Sequence, residues 1–176
     1  MLLLHFTFQI LLFMNGITLF DFNSEASLSS WYVMDDVVMG GVSDGKLAIG
    51  EDGHGIYSGT VSLDNNGGFS SVRYRCSRID VTSHRHITMR IKGDGKSYQL
   101  RIKNNISDYY SYIYSFDTSG EWETISVPMG EMVPSFRGRT LSFPNFEETY
   151  IEEVAILIGN KKNESFKLLI DKIELI

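Results

Sequence analysis

Cysteine is nearly absent from this sequence: 176 residues hold one, Cys76. A single thiol excludes an internal disulfide and a cysteine-rich zinc site, and it leaves Cys76 as a small buried or half-buried hydrophobe. Proline is scarce as well, at 3 residues, and no low-complexity run occurs, so nothing reads as a linker or a disordered tail. Cations are in the minority, with 16 Lys and Arg against 22 Asp and Glu for a net charge of −6. Nucleic acid is therefore not an expected partner, because that association needs cationic surface to displace counterions. No stretch carries a capped apolar stripe at helical spacing; at most one helical turn fits 130–133, ahead of Pro134.

An uninterrupted apolar run of membrane-spanning length is also missing. The nearest approach is MLLLHFTFQILLFMNGITL over 1–19, which His5, Thr7, Gln9, Asn15 and Gly16 interrupt. Leu2–Phe13 has the length of a signal-peptide core, but no Lys or Arg precedes it and no A-x-A site follows. Initiation at Met14 is a further reading, and it would open the chain directly on a strand over 17–22. The expected organisation is a hydrophobic segment of uncertain role over 1–16 and a single domain over 17–176, with only indirect membrane contact.

What the sequence does have is glycine and aromatics, with 16 Gly, 11 Phe and 9 Tyr, a composition of turns and pleated surfaces. Alternation of apolar and polar residues dominates from residue 56 onward, the mark of half-buried strands. Ile87, Met89 and Ile91 alternate with Thr88, Arg90 and Lys92; Tyr98, Leu100 and Ile102 alternate with Gln99, Arg101 and Lys103. Between these runs lies Gly93-Asp94-Gly95-Lys96, whose Asp-Gly step predicts an antiparallel hairpin joining them. Further strands are predicted at 56–63, 69–75, 109–116, 121–127, 153–158 and 165–175, separated by Asn-, Gly- and Ser-rich turns. Many short strands almost without helix predict an all-β, antiparallel two-sheet sandwich, with a closed barrel as the alternative.

DDVVMGGVSDGK over 35–46 contains the G-x-x-x-x-G-K spacing of a phosphate-cradling loop. Leu47 stands where a magnesium-binding Ser or Thr is required, and Gly50, Gly53 and Gly55 forbid the helix that should follow. Gly95-Lys96-Ser97 has the second half of the motif, but Arg90 replaces its first glycine. The nucleotide reading fails, and Gly40-Gly41 instead predicts a loop packed closely on the sandwich. His84 and His86 share a face of extended chain without neighbouring residues to complete a metal site. Asp35, Asp36 and Asp44 match no calcium loop, and acids in turns commonly bond their own backbone. With no G-x-S-x-G elbow either, no catalytic residue and no cofactor is expected.

Two features remain as binding candidates. Arg90 and Lys92, with Arg101 and Lys103 on the predicted hairpin partner, form a basic stripe that Arg73 and Arg75 extend. Like charges opposed across strands are unfavourable unless water or an anionic partner relieves them. Tyr110, Tyr112, Tyr114 and Phe116 share a face that should be mostly core, with Trp31 and Trp122 elsewhere. A few exposed rings would suit sugar stacking or a protein partner.

WYVMDDVVMGGVS (31–43), NNGGFSSVR (65–73), IKGDGKSYQLRI (91–102), FRGR (136–139) and FKLLIDKIEL (166–175) together resemble the complex I intermediate-associated protein 30 family. The resemblance runs from about Thr18 to the C-terminus. It implies a galactose-binding-like jelly roll, a fold shared with carbohydrate-binding modules, acting without catalysis as an assembly factor or chaperone for respiratory complex I. By position, Asp36, Met39, Gly40, Gly41 and Ser43 match its first motif. Gly67, Gly68, Phe69 and Arg73 match the second, and Gly93, Asp94, Gly95, Tyr98 and Arg101 match the third. Asp35 departs from a common Asn, Glu164-Ser165 departs from a usual Gly, and no Arg-rich targeting segment is present. The expected location is therefore the cytoplasm, or export through an atypical signal. The expected partner is a protein client such as a respiratory-complex subunit, with carbohydrate as the alternative. The expected contact surface combines Arg73, Arg90, Arg101 and Tyr98 with the loop Asp36–Ser43.

Overall fold

Alternation over 87–92 becomes one buried row: Ile87, Met89 and Ile91 are inaccessible, while Thr88, Arg90 and Lys92 keep contact with solvent. The same rule builds the rest of the computed structural model, which describes residues 16–176. The hydrophobic segment expected over 1–16 falls, except for Gly16, outside the described residues. Thirteen strands follow in order: β1 (Ile17–Asp21), β2 (Trp31–Asp35), β3 (Asp44–Ile49), β4 (Gly55–Val61), β5 (Ser70–Asp80), β6 (His86–Lys92) and β7 (Ser97–Lys103). They continue with β8 (Ser111–Asp117), β9 (Trp122–Pro128), β10 (Val133–Phe136), β11 (Arg139–Thr140), β12 (Tyr150–Ile158) and β13 (Glu164–Leu175). Among the described residues, helix is confined to short 3-10 turns at Asp36–Met39, Asp64–Asn66 and Met129–Glu131, the last starting one residue before the turn expected at 130–133.

Two antiparallel sheets result. The first runs β3-β4-β13-β6-β9, with β1 also paired to β13; the second runs β11-β10-β8-β7-β12-β5-β2. The all-β sandwich expected from the sequence is the fold, and the barrel alternative is not. Tyr57, Phe166, Leu168 and Ile170 from the first sheet face Val72, Leu100, Ile102, Val154 and Ile156 from the second in one core. Each such side chain contributes roughly 1.5–3 kcal/mol on leaving water.

The predicted hairpin between 87–92 and 98–103 does not form. β6 pairs with β13 and β9, whereas β7 pairs with β12 and β8. The segment 93–96 therefore crosses from one sheet to the other. Packing decides this, because the buried rows of β6 and β7 can meet across a sandwich only if the strands belong to opposite layers. Local bonds hold the crossing. Asp94 accepts from Tyr98 Oη (3.0 Å), Lys96 Nζ (2.8 Å) and the Lys167 amide (2.9 Å), and Thr118 Oγ1 accepts from the Gly95 and Lys96 amides. The Asp-Gly step bends the chain there, but between opposite sheets rather than between paired strands.

β12 departs from simple alternation. Val154, Ile156 and Ile158 enter the core, yet Glu153 (4% exposed), Ala155 (2%) and Leu157 (8%) on the opposite face are also buried. A strand covered on both faces reads as a continuous apolar run, here VAILI. Its outer side is the floor of a groove.

Candidate functional site

The first structural motif is a latch. Asp36 opens the 3-10 turn after β2, and Gly40 closes it in left-handed backbone (φ 88). The Asp36 carboxylate is fully buried and accepts four hydrogen bonds. These come from the Ser43 amide (3.0 Å), the Ser43 hydroxyl, the Gly68 amide (2.6 Å) and the Phe69 amide (3.2 Å). Burial opposes the charge, but the Ser43 and backbone bonds outweigh it and hold the carboxyl below its ordinary range. A Cβ on Gly41 would lie 2.2 Å from one carboxylate oxygen, and one on Gly67 would lie 2.6 Å from the other. These glycines therefore make room for an internal anion. The stretch with phosphate-loop spacing gives one amide, that of Ser43, to the chain's own carboxylate, and Gly68 and Phe69 give the other two, joining loop 35–43 to loop 67–69.

The second motif is the groove on the outer face of the second sheet. Ala155 of β12 is in register with Arg73 on β5 and with Arg101 on β7, so both guanidinium groups flank one small residue. One pleat along, Glu153 is in register with Arg75 and Lys103. Its carboxylate accepts from Tyr32 Oη (2.6 Å) and from Arg73 (3.0 Å). Burial, then the Glu153 bond, push the Tyr32 phenol up, so it stays a donor. Arg101 donates Nε–H to Gln99 (3.2 Å) and makes no ion pair among the described residues. Burial first and the Arg73 charge second push Arg101 down to about 10, against the opposing pull of Glu153. Burial also lowers Lys103, whose ammonium donates to the Asp108 carbonyl. Arg73, Arg101 and Lys103 thus line a cavity of about 630 Å3, with the Glu153 carboxylate buried beside them.

Met34, Met39 and Phe69 line this cavity from the β2 side, and Tyr109, Phe136 and Arg137 from the β10 side. Tyr109 meets Phe136 edge-on (5.1 Å), and Arg137 lies over Phe136 (5.2 Å).

Not every predicted contact residue belongs here. Arg73, Arg101 and Met39 line the groove, whereas Asp36, Gly41 and Ser43 are buried in the latch and support its wall. Tyr98 is a core residue whose hydroxyl is bound to Asp94. Arg90 must be removed from the surface: it lies on β6 of the first sheet, pairs with Asp171 (3.1 Å) and sits over Trp122 (5.4 Å). The basic stripe fails for the same reason as the hairpin. Arg90→Ala is accordingly expected to cost under about 1 kcal/mol and to leave partner binding unchanged, as denaturant titration and a binding assay would check. Trp31 packs among Phe20, Phe22 and Tyr74, so the exposed rings are Tyr109, Phe136 and Phe143 instead. The sequence does not mark Glu153, Ala155, Tyr109, Phe136 and Arg137 as contact residues; the available signals were the VAILI run and the FRGR motif over 136–139.

Three solved structures share the sandwich. The family 11 carbohydrate-binding module of a Clostridium thermocellum cellulosomal cellulase superposes with a TM-score of 0.69 at 22% identity, covering 92% of this chain and 94% of that one. The same module in complex with a β-1,3-1,4-mixed-linked tetrasaccharide gives 0.66 at 22% identity, over 92% and 95%. An exo-β-agarase gives 0.57 at 10% identity, over 91% of this chain and 25% of that one. At these identities the likeness is one of fold. Among curated proteins, the Drosophila melanogaster mitochondrial complex I intermediate-associated protein 30 is 26% identical over 154 residues, 74% of this chain and 52% of its own length. The chain thus spans about half the length of that relative. The profile of complex I intermediate-associated protein 30 matches residues 20–170, and the chain belongs to that family.

Proposed function

We propose that this chain is a non-enzymatic protein-binding module that holds a subunit or assembly intermediate of respiratory complex I in the groove over β12. The family match across residues 20–170 carries the reading. The groove supports it: a rigid sheet floor with a half-buried guanidinium that makes no ion pair among the described residues, and exposed apolar rims, suits a protein partner. The test is capture from detergent-solubilised membranes on the tagged chain, beside a glycan array. Complex I subunits should be enriched, and Arg101→Ala should abolish the enrichment while leaving thermal unfolding nearly unchanged. A positive array without respiratory subunits would overturn the reading.

Carbohydrate binding is the second reading. The observation favouring it is the shared sandwich of a module solved with a tetrasaccharide, together with Phe69, Tyr109 and Phe136 along the groove. Rings of this kind stack on sugar faces.

A further inference from the structure

We infer that the groove recognises carboxylates: its partner is an extended acidic stretch of a protein, with apolar side chains on either side of the acids. The inference rests on the protein-binding reading and adds the partner's chemistry. Acids outnumber cations in the whole chain, 22 to 16, yet the groove reverses that balance. Arg73, Arg101, Lys103 and Arg137 line it, and the buried carboxylate Glu153 is already engaged by Tyr32 and Arg73. A concentration of cations on an anionic molecule directs acidic partners to this face and turns basic ones away.

The floor supplies the geometry as well as the sign. Guanidinium groups form forked, charge-assisted bonds to carboxylates, and a recessed setting strengthens them relative to water. Arg73 and Arg101 are two strand spacings apart across Ala155, roughly 10 Å between backbones. An extended chain places its side chains at i and i+2 on one face about 7 Å apart, and the length of the arginine side chains makes up the remaining few ångströms. Acids at i and i+2 would each reach one guanidinium. On the β2 side the crossing chain meets exposed Met39, and on the β10 side exposed Tyr109 and Phe136. The fitting pattern is therefore apolar, acid pair, apolar.

The experiment titrates the full chain with fluorescent peptides carrying two glutamates at i and i+2 between leucine-rich flanks, and with the same peptide bearing glutamines. A mixed-linked β-glucan tetrasaccharide and an oligogalacturonate are titrated alongside. The glutamate peptide should bind at least tenfold tighter than the glutamine peptide, the difference should shrink with added salt, and Arg101→Gln should erase it. Thermal unfolding of Arg101→Gln, and of Arg101→Lys as a charge-keeping variant, separates lost recognition from lost fold. Equal binding of the two peptides would overturn carboxylate recognition and leave protein binding standing. Binding of the neutral tetrasaccharide but neither peptide would overturn both, binding of the oligogalacturonate alone would overturn the protein partner, and failure of every probe would overturn carboxylate recognition.

Discussion

Replacing Asp36 with alanine is expected to remove about 4 kcal/mol of stability at neutral pH, at the upper end for one substitution. The change deletes a charged acceptor serving the Ser43 hydroxyl and three amides, from Ser43, Gly68 and Phe69. Those donors sit between Gly41 and Gly67, where backbone is packed against the carboxylate too tightly for water to replace it without rearrangement. Asparagine should rescue little, because its amide group would point N–H donors at N–H donors. The pH dependence follows from the lowered carboxyl. Unfolded, the group titrates near 4; folded, it titrates lower. Its contribution is therefore complete above the unfolded value and is lost as pH falls through the folded one. Urea titrations at pH 7 and in acid should show the gap between the wild type and Asp36→Ala closing at low pH. A loss below about 1 kcal/mol at neutrality would refute the latch.

Glu153→Gln is the second large effect. The side chain keeps its shape and an acceptor for Tyr32, but it loses the charge that faces Arg73 at 3.0 Å and that supports Arg101 and Lys103 in their protonated forms. Breaking a buried pair from one side costs roughly 3 kcal/mol, because the remaining cation stays desolvated. At this chain length that is about 6–12 °C in Tm. Sulfate should restore the variant more than the wild type, since an added anion meets three cations with no opposing carboxylate. Scanning calorimetry across a sulfate series reads both effects. A variant with unchanged Tm and the wild-type response to sulfate would mean that the floor is not a charge cluster.

The sandwich was legible in the sequence because burying one face imposes a period of two, and Ile87 to Ile91 or Tyr98 to Ile102 display it openly. Pairing was not legible. Asp-Gly at 94–95 specifies a tight change of direction, and the choice between adjacent strand and opposite sheet depends on which apolar rows must meet, as the contacts of β6 and β7 show. That one misassignment put Arg90 beside Arg101, although Arg73 and Arg101 do share a face. Asp36 was picked out by its motif, but its environment was hidden, because its partners Gly68 and Phe69 lie more than thirty residues on. Tyr109 and Phe136 were missed for a related reason. Tyr109 precedes β8 and Phe136 ends the four-residue β10, and only the folded sheet brings them to one wall.

Position 155 has a wider consequence. Alanine there is almost fully covered, and the arginines in register with it on β5 and β7 line the recess. A leucine or a tryptophan in its place would fill that recess from below while both hydrophobic layers stayed intact. Such a residue would push both guanidinium groups outward and make the recess shallower, so the relief of this face would change without rebuilding either sheet beneath it.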